Sequence, residues 1–66
     1  MFSNIGKELF RNNHMSLCKL ADLAGIKRAT FYDKVHGRSE FTLAEMEAIR
    51  TVLKSKMTLD ELFERA

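Results

Sequence analysis

Two four-residue patterns of one kind, Thr42-Leu43-Ala44-Glu45 and Thr58-Leu59-Asp60-Glu61, constrain this chain more than anything else in it. Threonine followed three positions later by glutamate is a capping box, in which each side chain satisfies a backbone N–H that a helix start leaves free. Both patterns therefore predict helices. Leu43, Met46, Ile49, Val52 and Leu53 follow the first at helical spacing and predict an amphipathic helix over 43–54. Leu59, Leu62 and Phe63 follow the second and predict a short closing helix.

The same period runs through the N-terminal half. Leu17, Leu20, Ala21 and Ala24 recur at i, i+3, i+4 and i+7 behind Ser16, a good N-cap residue, and stop at Gly25. Glycine supplies the left-handed backbone of a tight turn after a helix, and Ile26 follows it as a plug for the core. A third helix is predicted over 27–36, with Phe31 and Val35 one turn apart on its inner side. Ala29, Tyr32, Asp33 and His36 then fall on the opposite side, Arg28 on the flank, and Gly37 closes the helix. Ile5, Leu9 and Phe10 predict a first helix over 4–11, capped by Ser3 or Asn4 and stopped by Asn12-Asn13. The expected fold class is all-α, five helices in one compact domain spanning 1–66.

A chain of 66 residues buries only about 60% of the surface its unfolded form exposes, so little stability is in reserve. One cysteine, Cys18, cannot form an internal disulfide, and with His14 and His36 at irregular spacing it makes no zinc set. No metal and no cofactor are expected. Cys18 lies off the apolar stripe of its helix and is expected to be exposed, while the methionines are expected to fill gaps in the core. Hydrophobic residues at 45% and the absence of proline fit a folded helical domain. No apolar run reaches the ~20 residues of a membrane span, and no signal-peptide pattern opens the chain. A cytoplasmic protein is expected.

The charge is unevenly placed. From Leu17 to Arg38 the balance is +3, carried by Lys19, Lys27, Arg28, Lys34 and Arg38; from Ser39 onward it is −2. A molecule with one positive and one negative end orients on a polyanion. An enzyme is not expected, since no nucleophile is spaced to a base and no glycine-rich phosphate loop occurs.

Two short helices joined through Gly25, the second flanked by basic residues, form a helix-turn-helix pattern. The run from Ser16 to Tyr32 places Ala21 at the close contact and Gly25 in the turn, with Ile26 and Phe31 holding the second helix. From Met15 to Phe63 the sequence resembles the lambda-repressor-like and Cro-like proteins of phages and mobile elements. Thr30-Phe31-Tyr32-Asp33-Lys34-Val35 followed by Phe41-Thr42-Leu43-Ala44-Glu45-Met46 is similar to a subgroup of phage-type regulators, and Met57 to Phe63 looks like the closing helix of that family. The resemblance implies a small transcriptional regulator that binds double-stranded operator DNA, with the third helix in the major groove. It departs from the family at two places. Leu17 stands where a glutamine-like group usually holds a phosphate and leaves only its backbone N–H, and Lys27 stands where Ser or Thr usually caps the reading helix. Helix N-termini bind phosphate through free N–H groups, so docking survives both changes.

Chemistry then suggests roles. Arg28 is the first choice as a base reader, because a guanidinium donates two hydrogen bonds to guanine O6 and N7; its other reading is an ordinary surface arginine. Tyr32 meets a thymine methyl or a phosphate, or is structural. Asp33 accepts from cytosine N4 or repels wrong sequences. Ala29 offers a methyl contact, and Thr30 bonds a phosphate or its own helix. Lys19, Lys27, Lys34, Arg38 and Ser39 are the remaining phosphate candidates. His36 is expected to be an exposed helix-end residue. A homodimer on an inverted repeat is expected, joined through the acidic C-terminal half, with Leu59, Leu62 and Phe63 or the loop 55–57 as candidates; Phe63 has a core role as its other reading. The short stretch after the fifth helix favours a minimal or Cro-like regulator with no small-molecule ligand. The rival is a helical protein-interaction module, or a phage inhibitor using the same fold without sequence-specific DNA binding; an interaction module would more often expose apolar residues on the third helix than Lys27, Arg28, Tyr32 and Asp33.

Overall fold

A computed structural model describes residues 2–65 of the chain. Five helices follow one another without any strand among the described residues: α1 (Ser3–Arg11), α2 (Leu17–Ala24), α3 (Arg28–Val35), α4 (Leu43–Leu53) and α5 (Leu59–Leu62). They pack into a domain of 24 × 22 × 20 Å.

Local chemistry sets most of the helix ends. Ser16 accepts from the Lys19 N–H at the start of α2, and Gly25 ends that helix at φ +74°. Both capping boxes close in full: Thr42 accepts from Glu45 N–H and Thr58 from Glu61 N–H, while each glutamate reaches back to the threonine N–H. These bonds hold the Glu61 carboxyl below the usual glutamate range, chiefly through the Thr58 backbone N–H.

The start of α1 differs from expectation. Its N-cap is Phe2, which makes no side-chain cap, and Ser3 lies inside the helix. Burial outweighs capping here. Phe2 is buried against the edges of Phe41 and Phe63, both at 5.7 Å between ring centroids. Asn4 turns away from its own helix and donates to the Glu61 carbonyl at 2.7 Å, tying α1 to α5.

Leu20, Ile49, Leu53 and Leu62 are completely buried with Ala21, and Phe31, Val35 and Ile5 complete the centre of the core. Two residues of the expected apolar stripes lie outside it. Phe10 is 67% exposed because adjacency to Leu9 turns it ~100° around α1, off the arc of Ile5 and Leu9. Leu43 is 60% exposed for a related reason: the buried arc of α4 is centred on Ile49 and Leu53, about a third of a turn away.

One buried charge is absent from the apolar pattern. Glu8 is buried under Arg11, whose Nε and Nη2 donate to it at 2.8 and 3.2 Å, and Arg11 also donates to the carbonyls of Leu53 and Lys54. Asn12 donates to the Leu53 carbonyl as well, at 3.1 Å. The carbonyls that the end of α4 leaves unpaired are thus capped from α1. Hydrogen bonds from Arg11, and then from Ser55, hold the Glu8 carboxyl below the usual range despite its burial.

Candidate nucleic-acid interface

The α2–α3 joint is built as its residues require. Gly25 takes the left-handed conformation, its N–H bonds the Asp22 carbonyl, and the Ile26 N–H returns to the Ala21 carbonyl at 2.9 Å. Ala21 is fully buried and Ile26 packs against the core, so the turn is held from inside. Phe31 and Val35 face inward from α3. The rest of α3 is left as an outward arc, with Arg28, Ala29, Thr30 and Asp33 exposed and Tyr32 half-buried.

Lys27 is the N-cap of α3 and supplies no side-chain cap, which leaves the first N–H groups of the helix without a side-chain acceptor. Its side chain, like that of Lys19, is exposed and makes no ion pair among the described residues. The Leu17 side chain packs against the core, so only its backbone faces outward chemistry.

Arg28 is not a free surface arginine. Its Nε donates to Asp22 Oδ1 at 3.1 Å and its Nη2 to Asp22 Oδ2 at 2.6 Å, a two-pronged pair across the turn. The hydrogen bond from Arg28 holds the Asp22 carboxyl below its usual range, and the carboxylate in turn raises the Arg28 guanidinium. Asp33 is likewise paired, with Arg38 Nη1 at 3.1 Å, and Arg38 remains 71% exposed beside exposed Ser39. Asp22 and Asp33 are therefore each matched by an arginine.

Tyr32 bridges the two helices: its hydroxyl lies 3.0 Å from Cys18 Sγ, and its ring stacks on exposed His36 at 6.4 Å. The hydrogen bond to Cys18 pushes the Tyr32 hydroxyl above its usual range. Cys18 is half-buried in this contact, which corrects the expectation of an exposed thiol.

Two further corrections follow from burial. Lys34 leaves the set of phosphate candidates: its ammonium pairs with Glu45 Oε1, its side chain is only 13% exposed, and it clamps α3 to the capping box of α4. Lysine 34 lies three residues from Phe31, hence on the inner side of α3, and that spacing was the signal for its burial. The pair holds the Glu45 carboxyl below its usual range, with the Thr42 N–H as second cause. Leu62, expected at a dimer contact, is completely buried, and Phe63 joins Phe2 and Phe41 in an aromatic cluster with the Phe41 ring 5.2 Å away. Leu59 alone of the three keeps a half-exposed side chain outside that core.

Away from this face, a cavity of about 120 Å³ between α1, α2 and α3 is lined by Phe2, Ile5, Gly6, Leu9, Leu17 and Val35, none of which titrates. Among the described residues no three His, Cys, Asp or Glu gather as a metal set, and no helix is long and apolar enough to cross a membrane. No family model, curated protein or solved structure matches the chain.

Proposed function

We propose that this protein is a sequence-specific double-stranded DNA-binding regulator of the helix-turn-helix, lambda-repressor-like type, with α3 lying in the major groove. The observation that carries the reading is the outward arc of α3: a polar surface beginning with an arginine held at the mouth of a glycine turn, with an uncapped helix start beside it. Arg28 reads a base, with Ala29, Tyr32 and Asp33 beside it. Lys19, Lys27, Thr30, Arg38, Ser39 and the backbone N–H of Leu17 meet phosphates and set the register. Tyr32 acts through its ring, since its hydroxyl is engaged by Cys18. No cofactor takes part.

One α3 reads too few base pairs to select a site in a genome, so the active form is a two-fold homodimer on an inverted repeat. With Leu62 in the core and Phe63 packed against it, the contact draws on Leu59, the loop 55–57 and the exposed side chains of the C-terminal half. Selection from a pool of random duplexes tests the reading. The expected result is enrichment of two inverted half-sites whose centres lie about one helical turn, ~34 Å, apart. A pool that stays random after repeated rounds contradicts it.

A second reading, a protein-interaction module, is favoured by the exposure of Phe10, Leu23 and Leu43, at 67, 51 and 60%. None of the three lies on α3. That reading predicts the same unenriched pool.

A further inference from the structure

A guanidinium carries five N–H donors along three edges, and one edge of Arg28 is already taken. Asp22 occupies the side formed by Nε and Nη2, at 3.1 and 2.6 Å. What remains is the end of the fork, one N–H of Nη1 beside the second N–H of Nη2. Those two parallel donors have the spacing that guanine O6 and N7 accept in the major groove.

We propose that Asp22 is the specificity-determining positioning residue of this face: it holds Arg28 from behind and presents the free end of its fork to a guanine. The inference rests on the DNA-binding reading above. Asp22 sits in the last turn of α2 and Arg28 opens α3, so the Gly25 turn itself fixes the distance between them. Both side chains are about half exposed, at 49 and 59%, and such a pair contributes little to folding. Its effect is on the arginine. A long, mobile side chain already ordered before binding loses less entropy when it meets the base.

The carboxylate also works against the wrong complexes. Lys19 is the other cation that acts on Asp22, one turn earlier on α2. An acid between two cations weakens attraction to any polyanion, whichever its sequence. That loss is offset only where a guanine takes the Arg28 fork. Asp22 therefore lowers general affinity and raises discrimination, a repulsive element and an attractive one in the same side chain.

The two effects have opposite signs, and a merely structural role would not separate them. The test compares wild type, Asp22→Asn, Arg28→Ala and the double variant. Each is titrated by fluorescence anisotropy against the duplex selected from a random pool, its single-base variants and a scrambled duplex. Asp22→Asn is expected to bind the scrambled duplex more tightly than wild type while losing at least about fivefold of its preference for guanine at one base pair, the low end of a two-bond base contact. Arg28→Ala should lose preference at that same base pair, and adding Asp22→Asn to it should cost no further preference. Unchanged guanine preference in Asp22→Asn, or equal losses on every duplex, overturns the role of Asp22 and leaves the DNA-binding reading standing. Failure of the wild type to prefer any duplex overturns both.

Discussion

At the residue scale, the charged side chains divide into those that build the fold and those that are free to meet a partner. Glu8 belongs to the first group. Its carboxyl is held low in the folded state by Arg11, so the fold binds fewer protons than the unfolded chain once the pH drops below about 4.5. Its stabilisation is complete above that value and is lost as the pH falls through the depressed folded value. Asp22, Glu45 and Glu61 are shifted the same way and add to the same acid limb. Thermal unfolding followed from pH 7 to pH 2 should show a falling midpoint below about pH 4.5, and Glu8→Gln should start lower and fall less steeply. A Glu8→Gln curve parallel to wild type would remove Glu8 from this role. Lys34 departs from its expected place: an exposed lysine on α3 would suit a phosphate, yet its ammonium closes on Glu45. Lys34→Ala should lower stability by more than the ~0.5 kcal/mol typical of exposed changes such as Lys19→Ala, and should leave the salt dependence of DNA binding unaltered. A reduced salt dependence with unchanged stability would return Lys34 to the interface.

At the element scale, what could be read from the sequence was what depends on near neighbours. The capping boxes at Thr42 and Thr58, the Ser16 cap and the Gly25 stop all act within four residues, and all appear where the local chemistry puts them. Thr42→Ala should therefore cost about 1 kcal/mol of stability in a denaturant titration. A loss near zero would mean that the Lys34 to Glu45 pair alone holds the start of α4. Contacts that cross the turns were not legible. Nothing in the period of α2 or α3 pairs Asp22 with Arg28 or Cys18 with Tyr32, because each partner is brought by the geometry of the bend. Phe2 escaped for the same reason, since it packs on Phe41, in the stretch before α4, and on Phe63, at the end of α5. The Glu8 to Arg11 pair is local, i to i+3, but its burial comes from the end of α4, whose Leu53 carbonyl Arg11 also meets.

At the scale of the whole molecule, a small core and a divided charge decide what the domain can do. Leu20 and Ile49 are completely buried, so either one changed to alanine should cost roughly 2–5 kcal/mol, enough to unfold much of a domain this small near 37 °C. The outward face keeps Lys19, Lys27 and Arg38 as candidate phosphate contacts, with Lys34 withdrawn. Three such contacts per monomer give an expected slope of about −2.7 in a plot of log binding constant against log salt, doubled in a dimer. Whether α3 reads sequence and not only charge is tested directly by one comparison: titration of the protein against its selected duplex and a scrambled duplex of equal length, at one fixed salt concentration. A preference of at least about 10³ for the selected duplex is expected if α3 reads sequence. Equal affinity for the two duplexes would contradict it.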